Sequence, residues 1–205
     1  MTKSMSPARP RTQPPEVRRE QILDSAAQVL AAKGLTAMTV ADVVAGAGIA
    51  KGTFYLYFNG KEELIAALQA RYTESLITRA EAVLTGPGTH AERLDELVAA
   101  ITDFHGSQIH LHHALFRDAG LPDDQSLRRL TGLLAAFIRD GAAAGAFHPA
   151  APEFAATFVV HGLHGVLPPF LHQRAQTRAQ FLAAATATAR QALGADVPDA
   201  ASARC

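Results

Sequence analysis

The sequence predicts an all-α protein of about nine helices, a small N-terminal helix-turn-helix domain followed by a larger helical domain. Three observations carry that prediction. Alanine is abundant, and apolar residues recur every three or four positions instead of alternating. The stretch from Thr39 to Leu64, TVADVVAGAGIAKGTFYLYFNGKEEL, reads as two short helices across a tight glycine turn, with a third helix opening at Lys61. Glycine and proline breaks then cut the remaining chain into helix-length pieces.

The elements follow in order. Residues 1–15 carry four prolines and no periodicity, and are expected to form a disordered basic tail. Arg9 and Arg11 leave two readings open, a solvated tail or an arm for the minor groove. From Glu16 to Lys33, Ile22, Ala26, Val29 and Leu30 line one face of a first helix, which Gly34 ends. Thr39 is placed to cap the second helix, whose Val40, Val43, Val44 and Ala47 give one apolar side. Gly46 and Gly48 bracket the turn, and Ile49 plugs the angle between the helices. Lys51 to Phe58 is the next helix, with Phe54 and Phe58 inward and Lys51, Thr53, Tyr55 and Tyr57 outward. Lys61 to Leu84 is a longer helix, and Asn59 is expected to cap it because Gly60 has no side chain to do so. After the break at 85–88, helices are expected over His90 to His105, Ser126 to Ala144, Pro152 to Leu167 and Thr177 to Leu193. SQIHLHHALFRDAG extends or restarts the first of these, LPDD is a loop, and Pro168-Pro169 stops the third. Three domains result: a tail over 1–15, a head over 16–60 and a body over 61–205, with the fourth helix shared.

Composition narrows the functional classes. Hydrophobic residues make up 48% of the chain, enough for a substantial core, yet no apolar run is long enough to span a bilayer. The N-terminus has no apolar segment of the kind a secretory signal needs. The one cysteine, Cys205, cannot form an intrachain disulfide, which fits a cytoplasmic location. The formal net charge is zero, but it is unevenly spread. Residues 1–61 hold eight basic residues (Lys3, Arg9, Arg11, Arg18, Arg19, Lys33, Lys51, Lys61) against four acidic ones (Glu16, Glu20, Asp24, Asp42). A basic end on an acidic body suits a protein that presents one end to phosphates. No nucleophile elbow, phosphate loop or dinucleotide fingerprint is present, so no enzyme is expected.

The segment from Thr39 to Leu64 resembles the TetR/AcrR family of transcriptional regulators. The resemblance runs through Thr39, Val43, Ala47, Gly48, Ile49, Gly52, Thr53, Phe54, Tyr55, Tyr57, Phe58, Lys61, Glu62, Glu63 and Leu64. Val44, Ala50 and Gly60 depart from the family pattern. The resemblance implies a homodimer on a palindromic double-stranded DNA operator, and a body that binds a small-molecule effector. It further implies DNA contacts from Thr39, Lys51, Gly52, Thr53, Tyr55, Tyr57 and Lys61, with Tyr55 and Lys61 on phosphates. A dimer interface is implied for the last two helices, through Val159, Gly162, Val166, Ala185, Thr188 and Ala189. The same small and apolar residues would also serve an ordinary intrachain core.

All nine histidines lie in the second part, with His110, His112 and His113 clustered and His161 and His164 one turn apart. Phe104, His105, Phe137, Phe158 and His161 are the expected lining of an effector pocket, the histidine giving a polar handle in an apolar cavity. No metal or other cofactor is assigned. Two alternatives stay open: a metal-responsive regulator using the histidine-rich part, and a helical protein-interaction module without DNA binding.

Overall fold

The structure, a computed structural model, describes residues 14–117, 124–173 and 177–195. Arg9, Arg11 and most of the LPDD loop lie outside the described residues. Those residues form nine α-helices and one π-helical turn, with no strand among them. They divide into two compact units, a head ending at Leu68 and a body beginning at Gln69. No helix among the described residues is long and apolar enough to cross a membrane.

In the head, α1 spans Pro15–Ala37, α2 Val40–Gly46 and α3 Lys51–Phe54, while α4 begins at Lys61 and runs to Leu84. Pro15 sits in the first turn of α1, where its missing N–H costs nothing. Ile22, Leu23, Ala26 and Leu30 are fully buried along one face. At Gly34 the backbone leaves the helix (φ 75°), and one further turn leads to Met38. Thr39 and Asp42 form a reciprocal capping box at α2: the Thr39 hydroxyl accepts from the Asp42 N–H at 3.2 Å, and the Asp42 carboxylate accepts from the Thr39 N–H at 3.1 Å. Lys33 pairs with the same carboxylate at 2.6 Å, and its hydrogen bond holds Asp42 below the ordinary carboxylate range. Thr39→Ala removes half of the box and is expected to lower head stability by about 1 kcal/mol in urea unfolding.

Helices α1 and α2 meet closely. The buried Ser25 hydroxyl donates to the Val43 carbonyl at 2.8 Å, and a Cβ on Gly46 would stand 2.4 Å from that hydroxyl oxygen. A side chain there would push the Ser25 hydroxyl away from that carbonyl. Gly48 then takes φ 63° to turn the chain, a conformation costly to residues with a Cβ.

Two expectations for the head need correction. The third helix is shorter than the eight residues predicted: beyond Phe54 the chain tightens into i→i+3 bonds, Leu56 N–H to Thr53 O and Tyr57 N–H to Phe54 O. Phe54 and Phe58 still share the core, with ring centroids 5.7 Å apart. Asn59 does not accept from the fourth helix. Instead, Glu63 reaches back and accepts from the Asn59 N–H at 2.8 Å and its side-chain amide at 2.7 Å.

The body holds the rest of α4 with α5 (His90–Ser107), α6 (Ile109–His112), the π-helical turn His113–Arg117, α7 (Asp124–Ala143), α8 (Pro152–Gln173) and α9 (Arg178–Ala192). Capping boxes open α5 (Thr89 with Glu92) and α9 (Thr177 with Gln180). Helix α7 packs on α8, and α5 packs on α9. Leu94, Leu115, Ile138, Phe147, Leu167 and Leu193 are fully buried between them. Arg190 of α9, itself buried, forks onto Asp95 of α5 through Nε (2.8 Å) and a terminal nitrogen (2.5 Å). The expected stop at Pro168-Pro169 does not occur, because α8 continues to Gln173. Two prolines withhold N–H donors from the preceding turn, but helix propensity is a weak term beside burial of Val159, Val160, Leu163 and Leu167.

Candidate DNA-contacting head and effector cavity

Three lysines lie among the described residues of the head, and two are committed. Lys33 is paired with Asp42. The Lys61 ammonium, half-buried, donates to the carbonyls of Leu35 at 2.5 Å and Met38 at 2.9 Å. Lys51, at the start of α3, is exposed and has no ion-pair partner among the described residues. Beside it Gly52 is exposed, and a Cβ built there meets no described atom within 4 Å. Thr53 and Tyr57 are half-buried, and Tyr55 is 49% exposed. The Tyr55 ring stands edge-on to Phe54 at 5.3 Å, so the buried phenylalanine steadies an exposed tyrosine. Leu56, 81% exposed, completes the outer surface.

That surface is chemically mixed: a free cation, a bare backbone position, hydroxyls and one apolar side chain. It matches the needs of phosphate contact, close backbone approach and base-edge reading.

The body contains a partly open, mainly apolar cavity of about 120 Å³. Tyr72, Thr73 and Leu76 of α4 line it, together with Leu130 of α7 and Val160, Leu163 and Leu167 of α8. The polar atoms on it are few. Tyr72 is buried, and its hydroxyl has no hydrogen-bond partner among the described residues. Burial pushes its phenol well up, so it stays a hydrogen-bond donor. His112 of α6 is likewise buried, and neither of its ring nitrogens has a partner among the described residues. His105 of α5 donates from Nδ1 to the Ile101 carbonyl at 2.9 Å. His161 and His164 of α8 face the same space.

Burial lowers the basicity of His105 and His164 and pulls His112 down to about 3, so these imidazoles are neutral at pH 7. For His112 the folded value lies below the ordinary 6.5, so the unfolded chain binds the proton more readily. Its contribution to stability is therefore complete above about pH 6.5 and is lost progressively as pH falls toward 3. Thermal melts at pH 7 and pH 5 are expected to show a larger drop for the wild type than for His112→Phe, which takes up no proton.

Residues 22–68 match the family described as bacterial regulatory proteins, tetR family. Over that stretch the head is similar to the TetR family. Among curated relatives, the HTH-type transcriptional repressor KstR2 of Mycobacterium tuberculosis is 35% identical over 97 residues, which cover 47% of this chain and 46% of KstR2. The chain thus spans about half the length of the curated relatives it matches. Its fold is that of solved regulators over nearly their whole length. Reduced NemR of E. coli superposes with a TM-score of 0.73 at 20% identity, covering 88% of this chain and all (100%) of NemR. FadR of Bacillus subtilis, in complex with stearoyl-CoA, gives 0.69 at 19% identity, covering 87% and 99%.

Against the sequence expectations, the head gathers Lys51, Gly52, Thr53, Tyr55 and Tyr57 on and beside α3. Thr39 is exposed, but its hydroxyl is engaged with Asp42, and two of the three donors of Lys61 serve the carbonyls after Gly34. Lys61, expected on phosphate, thus has donors engaged within the head. Of the five expected cavity residues, His105 and His161 line it. Phe104 lies behind the lining, with its ring 4.8 Å from that of Tyr72. Phe137 belongs to a separate cluster with His90 and Phe147, and Phe158 is 54% exposed. Val159 and Ala189 are buried within their own chain, which removes both from an exposed interface. Gly162, Val166 and Thr188 are exposed and Ala185 half-buried. Helical periodicity puts Tyr72 on an inner face, and neither it nor Leu56 carries a motif that announces its place here. Periodicity gives the face of a residue but not whether a void adjoins it.

Proposed function

We propose that the chain is a homodimeric DNA-binding transcriptional repressor, released from a palindromic operator by a small apolar or aromatic effector. The observation that carries the DNA reading is Gly52. An exposed glycine inside a helix costs about 1 kcal/mol relative to alanine, and no described neighbour needs the space. A duplex backbone pressed against α3 supplies the missing reason. Lys51 and Tyr55 would hold phosphates, Thr53 and Tyr57 would position and read, and Leu56 would meet a thymine methyl. A protein-interaction module would require none of these. Footprinting on the DNA upstream of the gene, with affinity measured against salt, tests the reading. Protection that is absent at low ionic strength overturns it.

The effector reading rests on the cavity. Its volume suits a ring-sized group, comparable to cavities that take up benzene, and is too small for a long acyl chain. Helix α4 starts in the head at Lys61 and supplies Tyr72, Thr73 and Leu76 to the cavity wall, so a ligand there bears on a helix the head also uses. A coupling of about 1–3 kcal/mol would change operator affinity roughly 5- to 150-fold. A compound that saturates the body without altering operator affinity counts against its being the effector.

Dimerisation is supported by α8, where Phe154, Phe158 and Val166 stay 72%, 54% and 50% exposed, with Gly162 exposed between them. Large apolar side chains spaced by four on an exposed helix face mark an interface. Phe158→Glu is expected to shift the protein to a monomer in sedimentation and to abolish two-site operator binding.

A further inference from the structure

We propose that His105, His112 and His164 form a three-histidine site for a divalent transition metal ion of the zinc type, at the wall of the body cavity. The three come from α5, α6 and α8, and one ligand-capable atom from each lies within 4.8 Å of the others. The ring centroids of His105 and His112 are 4.8 Å apart, and those of His112 and His164 5.6 Å. No sequence spacing announces such a site, because each element contributes one residue.

Two features of the individual rings go beyond proximity. His112 is only 4% exposed, and both its nitrogens lack a hydrogen-bond partner among the described residues, an arrangement that is costly unless something else occupies the space. His105 has its tautomer fixed: a carbonyl can only accept, so Nδ1 carries the proton toward Ile101 and Nε2 keeps its lone pair. A ligand imidazole held by a backbone carbonyl through its other nitrogen is the usual outer support of a bound metal. All three rings are buried or half-buried.

The donor set selects the ion. Three imidazoles without carboxylate or thiolate suit Zn²⁺, Co²⁺, Ni²⁺ or Cu²⁺ and are wrong for Mg²⁺ or Ca²⁺. A water molecule can donate only two hydrogens, so it does not satisfy three converging lone pairs. Metal–nitrogen bonds of about 2.0–2.1 Å in tetrahedral geometry place the nitrogens roughly 3.4 Å apart, so binding draws the rings inward by about 1 Å. Three protein ligands leave a fourth position, which opens to the cavity lined by His161 and Tyr72. The site uses body residues alone and does not depend on the DNA-binding reading.

The test uses the full chain without an affinity tag, stripped with chelator and titrated with Co²⁺, then with competing Zn²⁺. One Co²⁺ per protomer is expected, with the intense visible absorption of a tetrahedral nitrogen site that Zn²⁺ bleaches. His112→Phe and His164→Gln are each expected to weaken binding at least about tenfold, while His110→Gln, an exposed neighbour, leaves it unchanged. Circular dichroism monitors folding, and if the buried His112 variant fails to fold, the half-buried His164 variant decides. Absence of Co²⁺ binding, a weak octahedral spectrum, or binding equally strong in the His164 variant overturns the site. Metal binding in a protein that ignores its operator would sink the regulator reading and leave this one standing.

Discussion

Gly52→Ala is expected to lower operator affinity about tenfold or more while leaving the melting temperature unchanged or slightly raised. The two halves of that result have separate causes. In the isolated chain a methyl group at this position enters open space, since no described atom lies within 4 Å of it. Alanine also restricts the unfolded chain more than glycine does, which favours the folded state. Against a duplex, the same methyl group holds the α3 backbone away from the phosphates and loosens the contacts of Lys51 and Tyr55 with them. Fluorescence anisotropy with a labelled operator, paired with differential scanning calorimetry, reads both quantities. Loss of stability together with loss of binding would show instead that the glycine serves the fold.

Lys61→Ala should cost about 2–3 kcal/mol of head stability, a larger effect than a surface lysine ordinarily has. Its ammonium donates to the carbonyls of Leu35 and Met38, in the turn that follows the break at Gly34. Removing it leaves two carbonyls without their charged donor in a half-buried place, and hydrogen bonds to charged groups contribute about 1.5–3 kcal/mol each. Chemical denaturation reads the loss as a lower midpoint at unchanged slope. Lys61→Arg, which keeps the charge and adds donors, should recover part of it. If stability is untouched and the salt dependence of operator binding flattens by about one contact, the lysine serves phosphate after all.

The head was largely legible in the sequence. Helix caps, glycine turns and the inward pair Phe54 and Phe58 obey local rules, and Thr39, Gly48 and Phe58 fall where those rules put them. The internal contacts of Lys61 were not legible because its partners, Leu35 and Met38, lie more than twenty residues earlier and are backbone atoms, which carry no sequence signal. The body was legible as helices but not as a cavity. Phe104 and Phe137 looked equally suited to line one, and only packing separates the first, behind Tyr72, from the second, beside Phe147. The histidine trio shows the same limit. His161 and His164 attract notice by their spacing, whereas the convergence of His105, His112 and His164 arises only when three helices meet.

The apolar row on α8 has a thermodynamic consequence. If two copies cover Phe154, Phe158 and Val166 on each other, the heat needed to unfold the protein depends on how much of it is present, and dilution alone softens it. Occupancy of a two-armed site would then climb more steeply than in proportion to the amount synthesised. The cell could set a threshold by expression level, before any small molecule intervenes.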